Sequence, residues 1–214
     1  MDMYSHKYIF DCVLKYAGNG TVLLCSLHKP CKGNYCSLPQ NTQVIDFDSV
    51  KEKWDKAHKN SSHSSVDALA YNKKLCFVEI KGWIKFLENQ KILKKDSLTE
   101  KDTDTLKKKI DKQSASYDYQ KKLLDSIILC ENISGQNNIG KDVPIQFILV
   151  TDINPATSPI ESFAEQLFML ANTSTSWEKI CSETMYNHLK DQLGTNNTFF
   201  IQCKDFDDFI KNHG

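Results

Sequence analysis

Residues 144–150, Pro-Ile-Gln-Phe-Ile-Leu-Val, constrain the fold more than any other segment of the chain. The run is apolar with almost no alternation, the pattern of a strand buried on both faces of a helix-covered sheet. A second strong signal lies at 66–71 and 75–83, two strand-like runs joined by the polar turn Asn72-Lys73-Lys74. Together they predict an antiparallel hairpin. Helical spacing runs over residues 8–16 and again over 106–132, where Leu106, Ile110, Gln113, Tyr117, Leu124, Ile127 and Ile128 fall near one face. Further helices are expected at 49–58 with Ser49 as the cap, at 159–170, at 177–189 and from Phe206 onward. Residues 21–27 and 197–203 read as strands. The charged stretch 89–105 reads as a flexible loop or lid. Strands interleaved with helices, and no internal repeat, predict a single α/β domain over residues 1–214.

No run of eighteen apolar residues occurs, so no membrane-spanning helix is expected. The first fifteen residues carry Asp2, His6, Lys7, Asp11 and Lys15 with no apolar core, so no secretory leader is visible and a cytoplasmic protein is expected. Glycine-rich phosphate loops, nucleophile elbows and H-E-x-x-H pairs are absent, which removes support for nucleotide-triphosphate, dinucleotide, serine-hydrolase and zincin chemistry.

Lysine supplies all 27 cations, and 27 acids balance them. The balance hides an asymmetry. Residues 81–122 hold 12 lysines against 7 acids, whereas residues 151–214 hold 4 against 9. Without arginine's bidentate fork, base-specific reading of guanine is not advertised, although lysines serve as point charges on phosphates. The same lysines also suit a merely solvated helix face.

Of the eight cysteines, Cys76, Cys130 and Cys203 sit in apolar runs and read as small core residues. Cys25, His28, Cys31 and Cys36 place four zinc-ligating side chains within twelve residues. They suit either a structural zinc or an unmetallated loop, and their order fits no familiar finger spacing.

The hairpin carries the chemistry. With period two, Glu79 and Lys81 share a strand face with Leu75 and Phe77, while Cys76, Val78 and Ile80 point the other way. Asp67 starts the partner strand, so antiparallel pairing sets it across from Glu79 and Lys81. A surface cross-strand pair would be worth only tenths of a kcal/mol. Two carboxylates at one spot repel unless they share a cation, for which Mg2+ or Mn2+ is the natural guest, with the Ile80 carbonyl as a further oxygen. Such a metal activates water and polarises a phosphoryl oxygen, and an adjacent lysine offsets developing charge.

Asp67, eleven intervening residues and then Glu79-x-Lys81 on an apolar strand resemble the PD-(D/E)xK nuclease superfamily. The resemblance covers about residues 49–150, and Val66 stands where the motif has proline. It implies a restriction-endonuclease-like fold, a mixed β-sheet flanked by helices with the order α-β-β-β-α-β. Residues 151–214 would then add a strand and helices packed on that core. Residues 21–27 or 42–47 could supply the first strand. The resemblance assigns Asp67, Glu79 and Ile80 to metal and Lys81 to catalysis. Gln113 and Tyr117 match the Gln-x-x-x-Tyr of helicase-associated relatives, and Glu52 stands as an additional acid. The implied activity is Mg2+-dependent hydrolysis of DNA, with Lys107, Lys108, Lys109 and Lys112 along the phosphate backbone, in a homodimer or with a protein partner. The rival expectation is a non-catalytic nuclease-fold binding protein built around the Cys/His loop.

Overall fold

A computed structural model describes residues 4–27, 41–59, 63–90, 99–153 and 177–213. Six strands form one mixed sheet in sequence order. They are β1 (Val22–Leu23), β2 (Gln43–Asp46), β3 (Ala68–Tyr71), β4 (Leu75–Lys81), β5 (Ile145–Thr151) and β6 (Thr198–Gln202). From β1 to β4 each strand runs antiparallel to the one before it, and β5 and β6 continue the sheet in parallel with β4. β5 is the doubly buried strand foreseen in its sequence, with six of its seven residues buried.

The helices are α1 (Tyr4–Ala17), α2 (Leu24–Leu27), α3 (Phe47–His58), α4 (Ile84–Asn89), α5 (Glu100–Ala115), α6 (Tyr119–Ser134), α7 (Trp177–Leu193) and α8 (Phe206–Asn212). One face of the sheet packs Ile45, Leu69, Leu75, Phe77, Phe147 and Leu149 against apolar residues of α1, α3, α5, α6 and α7. The other face packs Ala68, Ala70, Cys76, Val78, Ile80, Ile148 and Val150 against Leu24, Cys203, Phe206 and Phe209. The strand alternation thus divides the core into two layers. None of the described helices is long and apolar enough to cross a membrane.

Local chemistry moves several boundaries. Residues 21–27 form only two residues of strand before turning helical, so Gln43–Asp46 is the strand that pairs with β3. α3 starts two residues before Ser49. Its cap is Asp46, whose carboxylate accepts the Ser49 N–H at 3.1 Å and the Ser49 hydroxyl at 2.7 Å. The stretch 89–105 is not all loop, because Thr99 and Asp102 form a reciprocal capping box that starts α5; residues 91–98 lie outside the described residues. The helix expected at 159–170 also lies outside them.

The long helix expected over 106–132 is two helices. Ser116, Tyr117 and Asp118 interrupt it, and Asp118 caps α6 by accepting the Lys121 N–H at 2.8 Å. Short polar side chains compete with helical hydrogen bonds in this way. Gln192 of α7 completes the break. Its Oε1 accepts from the Tyr119 and Gln120 N–H groups, and its Nε2 donates to the Tyr117 carbonyl at 2.8 Å.

The hairpin turn is fixed by a buried polar cluster at its closed end. Asn72 donates from its side chain to Gln146 Oε1 on β5 at 3.1 Å and accepts the Cys76 thiol at 3.1 Å. Lys73 carries a positive φ of 70° in the turn. Burial pushes the Cys76 thiol up to about 12, so it stays protonated as a donor.

Candidate active site

The open end of the hairpin holds the charges. Ala68 pairs with Val78, so continuing the register by one residue sets Asp67 against Glu79. Asp67 Oδ2 accepts the Ile80 main-chain N–H at 2.5 Å. A strand residue directs its N–H and C=O to the same neighbour, so the Ile80 carbonyl also faces the Asp67 side.

Glu79 is completely buried. Its Oε1 meets Lys81 Nζ at 2.5 Å and Lys122 Nζ at 2.7 Å, while Oε2 has no hydrogen-bond partner among the described residues. The Lys81 side chain is only 16% exposed, so this is no surface cross-strand pair. Its ammonium also lies 4.7 Å from the centre of the Tyr117 ring. Tyr117 in turn packs edge-on against Trp83 and takes a hydrogen bond from Gln113 Nε2 at 3.0 Å. The Trp83 indole N–H and the Tyr119 hydroxyl are buried without hydrogen-bond partners among the described residues as well.

Burial, and next the negative charge of Asp67, push the Glu79 carboxyl above the ordinary glutamate range; Lys81 and Lys122 pull it part of the way back. For Lys81, burial opposes the charge, but Glu79 and Asp67 outweigh it and hold the ammonium's pKa above the usual lysine value. Burial also raises the Tyr117 and Tyr119 hydroxyls. Taking a carboxylate out of water costs several kcal/mol even after relaxation, and an apolar residue of similar volume is often no less stable. Stability alone therefore does not account for Glu79.

Among the described residues, no group of three or more His, Cys, Asp or Glu side chains could hold a metal ion. The donor set is smaller: two carboxylates, one with an unpartnered buried oxygen, and a nearby carbonyl. Magnesium usually takes one or two carboxylates and fills its octahedron with water and substrate phosphate. That set fits magnesium and is too sparse for a cation that needs an all-protein cage.

The structure thus brings Asp67, Glu79, Ile80, Lys81, Gln113 and Tyr117 together. Gln113 lies in the last turn of α5 and Tyr117 sits in the break, so they meet across a helix end and not along one helix. Glu52 stays apart: it is exposed on α3, and its side chain forms no hydrogen bond or ion pair with the described residues. Lys107, Lys108, Lys109 and Lys112 are exposed on α5, and Lys109 donates to Gln90 at 2.8 Å. Cys25 Sγ lies 3.6 Å from Cys203 Sγ, and His28, Cys31 and Cys36 lie outside the described residues. Cys76 and Cys130 are fully buried and Cys203 nearly so, as their apolar settings require.

Lys122 was hidden in sequence. It is the last of the lysines in the basic stretch, and only its place on the inner side of α6 separates it from a solvated one. Compared with protein-family models, curated proteins and solved structures, the chain matches none.

Proposed function

We propose that the protein is a magnesium-dependent nuclease of the PD-(D/E)xK type acting on DNA. The observation that carries this reading is Glu79, a wholly buried carboxylate facing Asp67, bridged by two ammonium groups and left with one unpartnered oxygen. Support also comes from topology. β2, β3 and β4 form the antiparallel meander, helices follow, and β5 returns parallel beside β4, which is the succession of a restriction-endonuclease-like core.

Asp67 and Glu79 would hold the metal, with the Ile80 carbonyl beside them. When bound, the ion supplies a water acidic enough to attack at neutral pH and polarises the phosphoryl oxygen. Lys81 is held by Glu79 and by the Tyr117 ring, so its positive charge is fixed where negative charge grows on the phosphorane. Gln113 donates to the Tyr117 hydroxyl oxygen, leaving that hydroxyl's proton for another acceptor such as a phosphate oxygen. The exposed lysines of α5 provide sequence-independent attraction to the backbone.

The test is nicking of supercoiled plasmid with Mg2+ and then Mn2+, beside Glu79→Gln and Lys81→Ala proteins. Metal-dependent nicking lost in both variants is expected. Nicking that survives Glu79→Gln, or no cleavage of duplex or single strands by the wild type, would refute the assignment.

A further inference from the structure

The charge balance at the site is upset once a metal enters. Asp67 and Glu79 are balanced by Lys81 and Lys122, so the buried group is neutral as it stands. A divalent ion added to that set would leave two uncompensated charges in a weakly screened place, which is costly. Releasing one ammonium to solvent halves that excess.

The two lysines are not equivalent. Lys81 is on the motif strand, 16% exposed, and is also held by the Tyr117 ring. Lys122 is 27% exposed and comes from another element, near the start of α6. The partial positive charge of a helix N-terminus disfavours a cation there, and Glu79 is the acid to which Lys122 is bonded. A long lysine stem readily carries its head out to water.

We propose that Lys122 is a built-in competitor of the divalent cation: its ammonium occupies Glu79 until metal displaces it, and so sets the metal affinity of the site. This rests on the nuclease reading for the identity of the metal, but not for its test. Lys122 acts through Glu79 and is therefore a positioning residue.

Calorimetric titration with Mn2+ alone distinguishes the roles, using the wild type, Lys122→Met, Lys122→Arg and, as a second neutral variant, Lys122→Gln. Circular dichroism verifies that each is folded. Both neutral variants are expected to bind Mn2+ on the order of tenfold tighter, with the arginine variant close to wild type. Titrations at about pH 7 and about pH 8.5 separate this from competition by protons, which fades at the higher pH. Unchanged or weaker binding by the neutral variants at both pH values would overturn the proposal. Absence of Mn2+ binding in every protein would overturn it together with the metal site. A tenfold gain in a protein that cuts no DNA would leave the competitor role standing and remove the nuclease reading instead.

Discussion

Glu79 and Lys122 stand 43 residues apart in the chain and meet at 2.7 Å, one from the centre of the sheet and one from the helix laid across it. That contact makes the burial of a carboxylate tolerable, and it also explains how the site's chemistry is tested without collapsing the fold. Glu79→Gln keeps the shape and removes the charge. Cleavage is expected to fall at least about 100-fold, while unfolding in urea changes by about 1–2 kcal/mol, because the amide oxygen still accepts from the lysines, Lys81 keeps Asp67 and the Tyr117 ring, and Lys122 can carry its head to water. A drop in activity matched by loss of folded protein would speak against a functional role.

The α5 lysines make a separable contribution. Replacing Lys107, Lys108, Lys109 and Lys112 together by glutamine is expected to weaken DNA binding at every sequence tested. The slope of log affinity against log salt should shrink by about one for each phosphate that a lysine no longer neutralises. An unchanged slope in fluorescence-anisotropy titrations would return these residues to the role of a solvated helix face.

Gln192 offers a test of the helix break. Its side chain serves the Tyr117 carbonyl and two α6 N–H groups, and each such bond is worth about 1 kcal/mol. Gln192→Leu is expected to lower unfolding free energy by about 2–3 kcal/mol, and to loosen Tyr117 enough to reduce cleavage as well. Equal urea midpoints for the two proteins would contradict this.

Asp207 governs the acid side. Its carboxylate accepts the Asn41 and Thr42 N–H groups at 2.6 and 3.0 Å, tying α8 to the start of β2. Burial works against its charge, but these hydrogen bonds and Lys211 outweigh it and hold the carboxyl below the usual aspartate range. A depressed folded pKa gives stability that is present above the unfolded value and lost as pH falls through the folded one. The thermal midpoints of wild type and Asp207→Asn should therefore differ by a constant amount above about pH 5 and draw together as pH falls below the ordinary aspartate range. A gap that widens in acid would be the wrong sign.

Much of the architecture was legible because side-chain alternation is local. Leu75, Phe77, Glu79 and Lys81 share one face and Cys76, Val78 and Ile80 the other, as period two requires. The unbroken apolar run of β5 likewise announced burial on both sides. What the sequence concealed depends on distant partners. The interruption at Tyr117 is stabilised by Gln192, some seventy-five residues away, so a helical period read straight through it. Lys122 resembles its neighbour Lys121 in every local respect. Asp46 displaced Ser49 as the cap because its carboxylate reaches both Ser49 groups, a distinction that pattern alone does not rank.

The hairpin turn has a consequence for the far end of the sheet. Asn72, pegged to Gln146 and Cys76, works as a reading frame for three strands. A shift of one residue would exchange the two faces of β4, sending Glu79 and Lys81 into the layer now filled by Val78 and Ile80. One glycine inserted inside β4, between Cys76 and Phe77, is therefore expected to unfold the protein, whereas two inserted residues, which restore the parity, should leave a cooperative thermal transition. The position of the charges is set some twenty ångströms away from them, at about 3.3 Å per strand residue, by a side chain that never touches them.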